Sequence, residues 1–309
     1  NQLIQRNDRS LIYDAKREYT ELFYTDNIGL LNPTDQRSVC WDISADIQTA
    51  EIAYQVADCL IAESDKDPFW SDGAKLILTG CFVTLMRTKK DWSWFELKEL
   101  LDKPSNVLNS LFLTHYPNAA KLIEEDSKTT QSFMTVLATQ LSWLDFVAKV
   151  WNTESKQKFS VIKWVHGGYK LKSLIIPNDP RYSSISAPLC TAVLSLMVNE
   201  TLSLSDCNHR KLWLILDEVS DLPKNTALEK WLSLGRSKGA RTIAGTQNIS
   251  QISSIYGDKR TETITSLFSN IISLKIGSSF ETAKKTSDNL GKRLVKRASI
   301  SIDKNGNKS

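Results

Sequence analysis

Between Lys211 and Asp221 the chain reads KLWLILDEVSD, and this stretch limits the possible folds more than any other. Five apolar residues, Leu212 to Leu216, run without a break into two carboxylates, Asp217 and Glu218. A continuous apolar run with polar ends fits a strand covered on both faces, as in a parallel sheet. Ligands of such sheets bind just beyond the carboxyl ends of the strands. Two adjacent acids there suit nucleotide hydrolysis, Asp217 holding a hydrated Mg²⁺ and Glu218 orienting or deprotonating the attacking water. The plainer alternative is a core strand followed by an acidic helix start.

The next forty or so residues narrow the choice. A helical pattern runs from about Thr226 to Lys238, with a basic, glycine-containing turn at Gly235 to Gly239. A second strand, Arg241 to Gly245, ends in Thr246 and Gln247. Strand, acidic pair, helix, basic turn, strand and glutamine follow the plan of a RecA-like ATPase. In that plan the first strand serves metal and water, a basic residue faces a neighbouring subunit, and a polar side chain senses phosphate.

LILDEVSDLPK and LGRSKGARTIAGTQNISQISSIYG resemble the coupling-protein ATPases of type IV secretion and conjugation, the TraD/TrwB group. So do SLIYDAKREYTELFY at 10–24, LLNPTDQRSVCWD at 30–42, DPFWSDGAKLIL at 67–78 and FSVIKWVHGG at 159–168. The resemblance covers about residues 3–295. It implies an α/β fold: a RecA-like parallel sheet with an inserted all-α domain. The expected division is 1–45 and 156–300 for the nucleotide domain, 46–155 for the helical insertion, and 301–309 for a polar tail.

The resemblance also assigns roles. Asp217 would bind Mg²⁺ through water, and Glu218 would activate the hydrolytic water. Gln247 would sense the γ-phosphate of ATP. Arg236 matches an arginine finger reaching a neighbouring subunit's nucleotide, the alternative being a solvated turn; Arg241, at a strand head, is a second candidate. Asp14 either faces the nucleotide or caps a helix spanning Arg17 to Tyr24. Family members often carry Asp-Pro-Lys-Gly-Glu where this chain has Asp14-Ala15-Lys16-Arg17-Glu18, a change that matters only if the backbone needs positive φ at Arg17. The phosphate-binding loop G-x-x-x-x-G-K-[ST] occurs nowhere in the 309 residues. By the family's spacing it would precede Asn1, and the nucleotide domain would continue past the last residue. The chain is therefore expected to be a fragment, inactive alone.

Composition adds little. The net charge of +4 permits nucleic-acid contact without requiring it. Five cysteines show no CxxC pair and no zinc spacing with His115, His166 and His209, which suggests reduced, mostly buried thiols and a cytoplasmic location. No uninterrupted apolar run approaches the roughly twenty residues of a membrane span. Family members carry membrane helices ahead of this region, so the chain reads as the cytoplasmic part of an inner-membrane protein.

The remaining pattern predicts a helix tail at Gln2 to Arg6 and a strand at Leu11 to Tyr13. Helices follow throughout 46–150, including one long helix from Ser127 to Val147 and a capping box at Ser93 and Glu96. Trp70, Trp92, Trp94 and Trp143 are placed in the core rather than on DNA. Further strands are expected at Leu171 to Ile176 and Ile271 to Ile276, with helices at Ala187 to Leu202 and Glu281 to Leu290. Lys163, Lys170, Lys172, Lys284 and Lys285 are candidates for phosphate contact. The partners implied are DNA, relaxase or relaxosome proteins, secretion-channel components and five further copies in a hexameric ring. Two competing readings are a catalytically inactive remnant serving as an interaction module, and a chromosome-pumping DNA translocase.

Overall fold

In the computed structural model, residues 2–25, 27–64, 67–152, 156–274 and 280–291 are described. The apolar runs become strands β1 (Arg9–Asp14), β2 (Ile28–Leu30), β3 (Cys40–Trp41), β4 (Lys158–Phe159), β5 (Ser173–Pro177), β6 (Leu212–Leu216) and β7 (Ala240–Ala244). Five of them form one parallel sheet in the order β2-β5-β1-β6-β7, and β3 pairs with β4 apart from it. Parallel neighbours need long crossovers, and helices supply them.

Helix α1 (Gln2–Gln5) precedes β1, and α2 (Glu18–Phe23) follows it. Next come α3 (Ile43–Asp46), α4 (Ala50–Leu60), α5 (Pro68–Thr88), α6 (Trp94–Leu101), α7 (Ser105–His115), α8 (Pro117–Ala120), α9 (Lys128–Gln140) and α10 (Leu144–Trp151). Then α11 (Val161–Val165) leads to β5, α12 (Ser183–Ser203) to β6 and α13 (Ala227–Leu234) to β7. Finally α14 (Ile249–Tyr256), α15 (Asp258–Ser266) and α16 (Phe280–Leu290) close the described chain. Punctuation is local. Asp67 and Ser93 accept N-terminal amide hydrogens of α5 and α6, and the expected Ser93–Glu96 capping box is formed.

Four expectations change. The long helix at 127–147 divides into α9 and α10. The turn between them lets Leu141, Trp143 and Leu144 all bury, which one straight helix could not do. Residues 271–274 form no strand, and Ile272 and Leu274 are 85% and 90% exposed; residues 275 and 276 lie outside those described, as do 292–309 with the tail. Helix α12 starts four residues early and is long and apolar enough to cross a membrane by length and composition. It nevertheless packs between β5, α4, α11 and α13, and a helix apolar all round is what a core position requires.

The fourth concerns β6. Leu212, Leu214 and Leu216 are buried, but Trp213 and Ile215 on the opposite face are only half-buried. The sheet is covered unequally. One hydrophobic cluster joins Leu11, Tyr13 and Leu214 through Val193 and Met197 of α12 to Val56, Phe82 and Trp143 of the helical block. On the other face the described residues form a smaller cluster, Ile12, Ile28, Leu30 and Ile175 with Tyr19 and Phe23 of α2 packed against it, and Ile243 of β7 stands 52% exposed beside Ile215.

The helical block is pinned where the chain enters and leaves it. Asp46, fully buried, accepts hydrogen bonds from Trp41 Nε1 (2.7 Å), Ser160 Oγ (2.5 Å), Val161 N (2.9 Å) and Ile162 N (3.0 Å). Trp94 Nε1 donates to the Trp41 carbonyl, and Trp94 packs on Trp41, Trp143 and Trp151. Asp46→Ala would strand four buried donors, each costing about 1–3 kcal/mol. We expect a loss of roughly 3 kcal/mol or more, read as a lowered urea midpoint, whereas Asp102→Ala on the surface should leave the midpoint within about 0.5 kcal/mol of the parent.

Candidate functional site

The register of the sheet determines which side chains meet. Tyr13 lies beside Leu216, and Leu216 beside Ala244, so Asp14, Asp217 and Gly245 stand side by side at the carboxyl ends of β1, β6 and β7. Asp217 N donates to the Tyr13 carbonyl, Gly245 N to the Leu216 carbonyl and Val219 N to the Gly245 carbonyl. A side chain on Gly245 would meet the Asp217 carbonyl oxygen at 2.5 Å, so only glycine allows this approach of β7.

Asp14 is fully buried, with both oxygens engaged. They accept from Tyr19 N (3.3 Å), Thr20 N (2.7 Å) and Thr20 Oγ1 (2.7 Å). Its direct contacts are thus those of a cap for α2, and its charge reaches the site through Asp217. Arg17, one residue before α2, adopts φ 64°, the conformation in which glycine is the easier residue. Its guanidinium pairs with Asp179, which Arg181 also grips, chiefly through a side-chain hydrogen bond that pulls the carboxyl down to about 2.

Asp217 is in a different state. Its Oδ2 is buried and has no hydrogen-bond partner among the described residues. Burial raises its pKa, and the carboxylates of Asp14, Glu18 and Glu218 raise it further, while Lys16 pulls it down. A buried, unpartnered carboxylate oxygen among like charges fits a hydrated divalent cation. No group of three or more His, Cys, Asp or Glu with metal-holding geometry exists among the described residues.

Glu218 is 6% exposed. Its Oε1 accepts from Ser220 Oγ (2.7 Å) and Ser220 N (3.4 Å), and its Oε2 from Gln247 N (3.2 Å). Tyr13 OH donates to the Asp221 carbonyl at 2.6 Å and braces the short 3-10 turn Val219–Asp221 that follows. Beside this end of the sheet, Gly245, Gln247, Ile249, Ile252 and Phe268 line an open cleft of 690 Å³, within the range of small-molecule sites.

Asp217, Glu218 and Gln247 are therefore brought together, with Asp14 behind them. Arg236 is not. It lies in the 3-10 turn Arg236–Lys238, before the amino end of β7. A five-residue strand is roughly 17 Å long, so Arg236 stands at the opposite end of the sheet from Asp217. Its turn is held firmly by Cys207 N on the Ser237 carbonyl (2.9 Å), Asp206 on Lys238 (2.8 Å) and Arg210 on the Lys238 carbonyl (3.0 Å). The Arg236 guanidinium is exposed and has no partner among the described residues. Arg241 donates to the adjacent Ala240 carbonyl.

The candidate phosphate-contacting lysines do not share a surface. Lys163, Lys170 and Lys172 lie near the amino end of β5, where Lys172 Nζ donates to the Tyr169 carbonyl. Lys284 lies on α16, which packs on α14 just after Gln247; the side chain of Lys285 lies outside those described. His166 pairs with Glu200 at 2.6 Å, and His115 offers its carbonyl to Arg87. The cysteines are free, with Cys40, Cys81 and Cys190 buried. Trp92, Trp94 and Trp143 are core residues, and Trp70 is half-buried against Phe69 and Phe133. Sequence reasoning missed Ser220 and Gln251 around Glu218, and Thr282 of α16, which donates to Asn248 at 3.0 Å. Only Ser220 carried a signal, since a hydroxyl two residues past an acid suits a local side-chain bond.

Comparison with known proteins adds four findings. The family model described as the type IV secretion-system coupling protein DNA-binding domain matches residues 1–309. The coupling protein TraD of Escherichia coli (strain K12) is 27% identical over 261 residues, covering 82% of this chain and 36% of TraD. Among solved structures, the plasmid coupling protein TrwB in complex with ADP and Mg²⁺ matches with a TM-score of 0.70 at 24% identity, over 86% of this chain and 63% of that one. TrwB with the non-hydrolysable ATP analogue ADPNP matches with a TM-score of 0.72 over 93% and 68%, also at 24% identity. The chain thus spans about a third of TraD's length.

The raised pKa of Asp217 fixes a sign. Above its folded value the native state keeps an ionised, partly desolvated carboxylate that the unfolded chain holds at lower cost. Without nucleotide, Asp217→Asn should therefore stabilise the fold near pH 8, by about 0.5–2 kcal/mol. The gain should shrink as the pH falls into the carboxylate range and the parent takes up a proton. Thermal unfolding of both forms at pH 8 and pH 4.5 measures this; a variant less stable at both would contradict it.

Proposed function

The chain belongs to the type IV secretion-system coupling proteins, and from that premise we propose that it is the body of an ATP-driven motor that moves DNA in conjugation or secretion. The observation that carries this reading is the orphaned Oδ2 of Asp217, set among like charges at the end of the sheet. Asp217 would hold Mg²⁺ through water, and the ion would neutralise charge developing on the transferred phosphoryl group. Glu218 would take a proton from the attacking water, and Gln247, fixed to Glu218 through its backbone, would hydrogen-bond the γ-phosphate. Residues 46–155 would form the inserted helical unit and 1–45 with 156–300 the nucleotide unit.

Arg236 acts on a different copy in this reading. It is exposed, unpartnered and at the wrong end of the sheet for its own Asp217. A head-to-tail ring would bring it to the next subunit's nucleotide, where it would stabilise charge on the transferring phosphate. DNA, relaxase or relaxosome proteins and the secretion channel would be the partners, and the site would face the cytoplasm beneath the inner membrane.

The test is DNA-stimulated ATP hydrolysis by this chain and by a chain extended upstream to include a phosphate-binding loop. The extended chain should be active and should lose about 10²-fold or more on Glu218→Gln or Arg236→Ala. Mixed rings of those two variants should recover part of the activity, because some interfaces then join an intact Glu218 to an intact Arg236. Mixtures as inactive as either variant alone would remove the trans role of Arg236. Inactivity of the extended parent would leave an interaction module without hydrolysis.

A further inference from the structure

We propose that Ser220 is the positioning residue for Glu218 and links it to α14; this rests on the reading of Glu218 as the general base. Each carboxylate oxygen has about two acceptor sites. Oε1 has both filled from one residue, by Ser220 Oγ at 2.7 Å and Ser220 N at 3.4 Å. Oε2 has one filled, by Gln247 N at 3.2 Å, and one left over. Ser220 thus fixes which oxygen is free: water gives its proton to Oε2 while Oε1 stays anchored.

The hydroxyl also has a second neighbour. Gln251 Oε1 of α14 lies 3.4 Å from Ser220 Oγ. Ser220 has one hydroxyl proton, and the shorter contact assigns it to Glu218. The orientation of a glutamine amide is set by its hydrogen bonds, and two acceptors face to face are resolved by turning it. Gln251 Nε2 then donates to Ser220 Oγ, which donates to Glu218 Oε1. The base, the strand end carrying Gln247 and the first turns of α14 become one hydrogen-bonded unit. Glutamate has three rotatable side-chain bonds, so an unanchored carboxylate would spend much of its time away from the water it must meet.

The experiment uses the chain extended upstream to include a phosphate-binding loop, with ATP hydrolysis measured in the presence of DNA. Ser220→Ala should lower kcat about 10-fold or more and leave KM for ATP unchanged, since the anchor serves the proton acceptor rather than nucleotide binding. Ser220→Thr, which keeps the hydroxyl, should restore most of the loss. Added to Glu218→Gln, Ser220→Ala should cost nothing more, because two residues acting through one group are not additive. Wild-type kcat in Ser220→Ala, a raised KM with unchanged kcat, failure of Ser220→Thr to rescue, or a further loss in the double variant would each overturn the proposal. Wild-type activity in Glu218→Gln would remove the base reading and the proposal with it; a full Glu218→Gln defect beside a normal Ser220→Ala would remove the proposal alone.

Discussion

Two adjacent parallel strands end in acids, and the fold has to keep both in place. Asp14 and Asp217 are neighbours by strand register, not by choice of rotamer. The molecule treats them differently. Asp14 is taken inside and given three donors from α2. Asp217 keeps one oxygen buried without a partner and carries the electrostatic cost for the pair. The approach of β7 at Gly245 and the bracing of the turn by Tyr13 fix the backbone around that oxygen.

The backbone at Arg17 shows a related compromise. A left-handed residue is needed between β1 and α2 so that the amides of Tyr19 and Thr20 can turn back onto Asp14. Glycine would do this without strain. Arginine bears the conformation and gains a pairing with Asp179 at the end of β5, joining the ends of two neighbouring strands.

The fold was largely readable because its signals are local. The run Leu212–Leu216, the short apolar run of β1 and the capping box at Ser93 and Glu96 each sit within a few residues. What could not be read was long-range. Nothing near Asp46 says that it also meets Ser160, Val161 and Ile162, because that link spans more than a hundred residues. The break at 141–143 depends on what Trp143 packs against. The apolar residues at 271–274 follow a strand pattern yet pair with no strand among the described residues, since strand pattern states what a segment can bury and not which edge receives it. At the site, Asp217, Glu218 and Gln247 were legible as strand ends. The remoteness of Arg236 became visible only once both ends of β7 were known.

The single core joining sheet and helices has a mechanical side. Helix α12 packs on β5 and on α4, and α4 packs on α5, within the same hydrophobic cluster. Close-packed interiors yield little and pass displacement on. Asp46 ties the entry of the helical block to its exit. A displacement at the strand ends therefore has a close-packed route through α12 into α4 and α5.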